Sequence, residues 1–143
     1  MTPTSRYATC AGYEIHYMEW GVRDAPVVIA WHGLARTGRD MDELAAHLSA
    51  RGYRVLCPDT VGRGLSQWAS EPEREYCLAA YARLAREVVL QLGIEQCPWV
   101  GTSIQRNWPR APGPRVVMRS AVSRSTRSDS APRSSSTGTA SAS

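Results

Sequence analysis

A two-residue period of apolar and polar positions marks Tyr13-Glu14-Ile15-His16-Tyr17-Met18-Glu19-Trp20 as a strand that ends at Gly21. A shorter stretch around Tyr7-Ala8-Thr9-Cys10 is placed to pair with it as an antiparallel hairpin. Val27-Val28-Ile29-Ala30-Trp31 is instead a continuous apolar run, stopped by His32-Gly33. A strand covered on both faces in a parallel sheet has this pattern, which puts the run at the sheet centre. Asp40 followed by Glu43 forms a capping box, and Met41, Leu44, Ala45 and Leu48 recur at helical spacing up to Gly52. Tyr53-Arg54-Val55-Leu56-Cys57 is the next strand, and its Pro and Gly residues make Pro58 to Gly64 a loop. A second helix carries Leu78, Tyr81, Ala82, Ala85, Val88, Val89 and Leu92 on one face and stops at Gly93. A last strand, Pro98-Trp99-Val100, runs into Gly101. The order β-β-β-α-β-α-β predicts an α/β fold with a mostly parallel sheet.

The pattern stops there, and the composition changes with it. Residues 1–104 hold 10 Arg and 12 acidic residues, whereas residues 105–143 hold 7 Arg and a single acid, Asp129. The formal charge of +4 therefore describes the end of the chain and not the patterned part. The last segment also carries 10 Ser and 4 Pro, with Val116-Val117-Met118 as its one apolar cluster. Too little apolar surface is present to offset ordering entropy, so residues 105–143 are expected to be a disordered Arg/Ser/Pro-rich tail behind a folded unit of residues 1–104. At 143 residues one domain is accommodated, and no apolar run approaches a bilayer span. No membrane association is expected, and without an apolar leader behind Arg6 the expected location is cytoplasmic. Cys10, Cys57, Cys77 and Cys97 form no C-x-x-C pair, so neither a metal site nor a disulfide framework is expected; they read as reduced, partly buried thiols.

Three motifs fall at the carboxyl ends of three successive strands. Trp31-His32-Gly33-Leu34 follows the first, Asp59-Thr60-Val61-Gly62-Arg63-Gly64-Leu65-Ser66 the second, and Gly101-Thr102-Ser103 the third. Together and in this order they resemble the His-Gly oxyanion loop, the Asp-x-x-Gly-x-Gly-x-Ser loop and the first half of the G-x-S-x-G nucleophile elbow of the α/β-hydrolase superfamily. The resemblance covers roughly residues 7 to 104, about the first half of such a domain. It implies an antiparallel hairpin, three parallel strands and two helices. It also implies a cofactor-independent hydrolysis of a small-molecule ester, with Ser103 as nucleophile and the N–H groups of Leu34 and Ile104 as oxyanion donors. Taken by themselves, His32 is a loop-shaping hydrogen bonder, Asp59 a residue that ties its loop to backbone N–H groups, and Ser103 a turn serine. His16 reads as a strand-face residue and His47 as a helix-surface residue. Trp31, Trp68 and Trp99 suit core or rim packing, with an acyl pocket as the alternative.

Beyond Ser103 the resemblance breaks. Gln105 stands where the elbow has its second Gly, and Pro109, Pro112 and Pro114 interrupt the helix that should follow, each interior Pro costing about 3 kcal/mol. The family order places the acid and then the His after the serine, yet no His follows Ser103. A serine hydroxyl without a positioned base is a poor nucleophile, so efficient triad catalysis is not expected of this chain. The alternatives are an active ester hydrolase using Ser103, and a fragment whose basic tail binds nucleic acid or acidic partners through its Arg-Ser steps. With Trp108 as the tail's sole aromatic, specific nucleic-acid recognition is not expected. A change of reading frame just after Ser103 or Ile104 accounts for the charge break, Gln105 and the prolines together. Such a truncated chain leaves an apolar sheet edge open, which predicts aggregation or chaperone binding.

Overall fold

The computed structural model describes residues 2–102. Ser103, Ile104 and the 105–143 tail lie outside the described residues, and so does the proposed domain boundary. The described residues build one sheet from β1 (Thr4–Cys10), β2 (Tyr13–Trp20), β3 (Val27–Trp31), β4 (Arg54–Pro58) and β5 (Trp99–Gly101), in the spatial order β1-β2-β4-β3-β5. The helices are α1 (Asp42–Ala50), α2 (Pro72–Glu75) and α3 (Leu78–Gln91), with a 3₁₀ turn at Gly38–Met41. The expected hairpin is present: β1 and β2 are antiparallel with Cys10 opposite Tyr13, joined by Ala11 and Gly12, both at positive φ. β3, β4 and β5 run parallel to one another, and β2 lies antiparallel to β4.

Two apolar layers sandwich this sheet. Ile29, Trp31, Leu56, Ile15 and Tyr17 face α3, where Leu84, Ala85, Val88 and Val89 complete a buried cluster with Trp99. Val28, Ala30, Val55, Cys57, Met18 and Trp20 face the other way, toward Met41 and Ala45. The continuous apolar run of β3 is thus a two-residue alternation with both sets of side chains buried. Trp31 and Trp99 stack at 5.6 Å, inside the core, while Trp68 is exposed. Cys10, Cys57 and Cys97 are buried, and burial pushes their thiols up to about 11, 12 and 11; Cys77 is exposed.

Several expectations need correction. β3 is interior but not central; β4 holds the middle, because β3 must also pair with β5. Asp40 and Glu43 form no capping box: Asp40 sits inside the 3₁₀ turn paired with Arg36, and α1 begins at Asp42 without a side-chain cap. Leu44 and Leu48 are half-buried, and the inward row is Met41, Ala45 and Ser49. Leu78 is exposed at the start of α3, whose buried face instead includes Ala80 and Leu84. Proline at its first position starts the short helix α2, which periodicity over four residues is too brief to reveal.

An ion triplet pins the hairpin to the parallel strands. Glu19 is buried and accepts hydrogen bonds from Arg6 Nε of β1 and, at 2.6 Å, from Arg54 Nε of β4. Burial opposes ionisation of Glu19, but the two guanidinium contacts outweigh it and hold the carboxyl below its ordinary value.

Candidate active site

The carboxyl ends of β3, β4 and β5 lie side by side because the three strands are parallel and paired in register. Trp31 is opposite Gly101, and the Thr102 N–H donates to the Trp31 carbonyl at 3.3 Å. His32-Gly33-Leu34 therefore leaves the sheet beside the segment that leads into Ser103. Leu34 is exposed at this corner, and the Arg63 guanidinium donates to its carbonyl at 3.1 Å, which ties the β3 loop to the β4 loop.

His32 shapes both loops. It is fully buried, its Nδ1–H donates to the Gly33 carbonyl at 2.6 Å, and its Nε2 accepts the Thr60 N–H at 3.1 Å. A ring nitrogen that accepts from an N–H carries no proton, so the bonding specifies the neutral Nδ1–H tautomer. Burial pushes the imidazole below its ordinary value, and the Gly33 carbonyl and the Asp59 charge offset this only in part. This is a structural imidazole with both nitrogens committed.

Asp59 is the hub of the second loop. One carboxylate oxygen, Oδ1, accepts the Gly38 N–H at 2.6 Å; the other, Oδ2, accepts the Leu65 N–H at 3.0 Å and faces His16 Nδ1 at 2.8 Å. The loop-tying role read from the sequence is what the geometry shows, with a buried imidazole added to it. Ser66 closes the same knot: its hydroxyl donates to the Asp59 carbonyl at 2.8 Å and accepts the His16 N–H at 2.9 Å. Gly64 at φ +52 lies so close that a Cβ there would stand 2.1 Å from Asp59 Oδ2, so the motif's second glycine is required by the carboxylate. Gly62 is pressed in the same way against the Tyr76 hydroxyl.

His16 lies on a face of β2 as read, and the structure adds that this face is buried and that the ring takes part in the Asp59 network. The signal was available in the alternation of β2, where His16 shares its face with Met18 and Trp20. A histidine in an apolar row needs a polar partner, but nothing in the sequence says which acid supplies it. His47 is on the helix surface as expected, its Nδ1 facing the Glu43 carbonyl at 2.8 Å. Among the described residues, no group of three or more His, Cys, Asp or Glu side chains is arranged to hold a metal ion. No helix among them is long and apolar enough to cross a membrane. The cleft lined by Asp24, Pro26, Arg54 and Ile94 opens at the amino ends of β3 and β4, away from these loops.

Residues 26–104 match the family described as the alpha/beta hydrolase fold. The chain belongs to the α/β-hydrolase family. It is 39% identical over 93 residues to a 3-hydroxybutyrate-oligomer hydrolase of Cupriavidus necator, a match covering 64% of this chain and 31% of that protein. It is 30% identical over 119 residues to a bifunctional esterase/perhydrolase of Acinetobacter calcoaceticus, covering 78% and 42% of the two chains. Among solved structures, a thioesterase domain from the curacin biosynthetic pathway superposes with a TM-score of 0.68 at 28% identity, over 73% of this chain and 38% of that one. The chain thus spans less than half the length of the curated relatives it matches. The family match takes in β3, β4 and β5 with their loops and agrees with the resemblance carried by the three loop motifs.

Proposed function

We propose that this α/β-hydrolase chain carries the nucleophile-bearing side of a serine ester hydrolase and is catalytically silent as a 143-residue polypeptide. Ser103 is the attacking hydroxyl in this reading, and the N–H groups of Leu34 and Ile104 are the oxyanion donors. The observation that supports it is the register of β3 with β5: pairing Trp31 with Gly101 sets the His32-Gly33-Leu34 loop next to the approach to Ser103. Donors preset beside a nucleophile stabilise the charge of a tetrahedral intermediate, each worth about 2.7–4 kcal/mol. The substrate class is a small-molecule ester, in keeping with the ester chemistry in the names of the oligomer hydrolase and the esterase/perhydrolase.

Silence follows from the histidines. None follows Ser103 in the sequence, and His16 and His32 have both ring nitrogens engaged by other partners. His47 lies on α1, hydrogen-bonded to the helix backbone. The serine proton therefore has no imidazole to accept it, and general-base assistance of about 10²–10⁴-fold is forfeited.

The test is turnover of a short-chain p-nitrophenyl ester by the full chain and its Ser103→Ala variant. Equal background rates are expected. A rate that drops in Ser103→Ala would overturn the silent reading in favour of an active enzyme. Joining residues 1–104 to the remainder of the Cupriavidus relative is expected to give ester turnover that Ser103→Ala removes. A folded chimera without such activity would sink the assignment of Ser103.

A further inference from the structure

At the opposite edge of the sheet from β5, the edge strand β1 and its neighbour β2 bring together a serine and an imidazole with the buried carboxylate of the β4 loop. Ser5 Oγ is 2.8 Å from His16 Nε2, and His16 Nδ1 is 2.8 Å from Asp59 Oδ2. The register explains the first contact: Tyr7 pairs with His16, so Ser5, two residues earlier on the same face of β1, is its diagonal neighbour. The β4 loop supplies the second, because Asp59 is held by the N–H groups of Gly38 and Leu65. His16 and Asp59 are buried, whereas Ser5 is exposed, and the Tyr7 ring flanks the imidazole at 5.1 Å.

We propose that Ser5, His16 and Asp59 form a second nucleophilic site, in which Ser5 takes an acyl or phosphonyl group from a small activated donor. A carboxylate accepts only, so Asp59 fixes the Nδ1–H tautomer of the neutral ring and leaves Nε2 to accept the Ser5 hydroxyl proton. That division of roles defines a Ser-His-Asp triad irrespective of chain order. With an activated ester the Oγ–C bond forms, the bond to the leaving oxygen breaks, and the proton passes from Ser5 through His16 Nε2 to that oxygen. With a fluorophosphonate the Oγ–P bond forms, the P–F bond breaks, and the proton leaves with fluoride. Exposed on an edge strand, Ser5 lacks the water-excluded setting in which oxyanion donors act best, so one covalent modification is expected in place of rapid turnover. His16 is the base, and Asp59 is a positioning residue acting through it.

The experiment treats the full-length Ser103→Ala chain with a fluorophosphonate and maps adducts by peptide mass spectrometry. Ser5 is expected to label about 100-fold faster than the exposed Ser70, the lower end of general-base assistance. Ser5→Ala, an exposed and conservative change, is expected to lose the adduct. Equal labelling of Ser5 and Ser70, or no adduct on Ser5, overturns the proposal. An independent arm compares alkylation of Ser5→Cys and Ser70→Cys by iodoacetamide, with and without Asp59→Asn. The ratio of the two rates is expected to exceed about tenfold and to fall to one with Asp59→Asn, which sets an amide in place of the carboxylate at the ring. Unfolding would also bring the ratio to one, so the collapse counts for the triad only where the circular dichroism of the Asp59→Asn chain matches the parent's; otherwise the fluorophosphonate arm decides. A ratio of one in the parent chain, or one unchanged by Asp59→Asn, counts against the triad. In the unsubstituted chain an adduct at Ser103 bears on the hydrolase reading alone, so the two proposals fail separately.

Discussion

The corner around His32 and the corner around His16 are equally buried, and they differ in what faces the imidazole. His32 meets only backbone, a carbonyl on Nδ1 and an N–H on Nε2, so the fold accepts it as a neutral group and burial lowers its basicity. His16 meets a carboxylate on one side and a solvent-facing hydroxyl on the other. Backbone partners make a histidine a rivet between two loops. Side-chain partners leave it connected to a group that reacts, so burial alone does not tell a structural imidazole from a chemical one.

Breaking the second corner has the largest expected effect. Asp59→Ala removes the acceptor shared by Gly38, Leu65 and His16, and each buried donor left unsatisfied costs about 1–3 kcal/mol. Urea denaturation is expected to show that loss, while a change under about 1 kcal/mol would mean the carboxylate is not the hub. Next comes Gly64→Ala, which sets a methyl against the same carboxylate at a strained φ and is expected to cost about 1–3 kcal/mol in the same assay.

The first corner responds to pH. Because folding lowers the His32 pKa below 6.5, the unfolded chain binds the proton more readily, and stability rises with pH through the window just below 6.5. This contribution is fully present above pH 6.5 and is lost as pH falls toward the folded value. Unfolding midpoints measured on either side of 6.5 are expected to drop on the acid side, with a shallower drop in His32→Gln. An unchanged slope would remove the contrast between the two imidazoles. The smallest effect is expected at Asp40, which caps no helix and forms only an exposed pair with Arg36: Asp40→Ala should shift stability by less than about 0.5 kcal/mol. A loss of about 1 kcal/mol or more would restore the capping role.

Much of the scaffold was legible from local pattern. β2 and β3 fall on the residues that periodicity named, and the loop motifs at His32, Asp59 and Gly101 sit where strand ends place them. The misreadings share a cause. Asp40-Glu43 has the right spacing for a cap, but the chain spends those residues in a 3₁₀ turn that carries Gly38 up to Asp59. Leu78 has the right period for the α3 face, yet as the first residue of the helix it stays exposed, and burial starts at Ala80.

Alternation and spacing are properties of neighbours in the chain, and they were enough to settle strand identity, the two buried faces of β3 and the order of the three loops. Which carboxylate meets His16, which hydroxyl meets its other nitrogen, and which strand stands at the middle of the sheet depend on residues up to 71 positions apart, brought within hydrogen-bond distance by β-sheet register and parallel pairing. Burial then demands partners for every polar group enclosed, but only the folded geometry decides who they are.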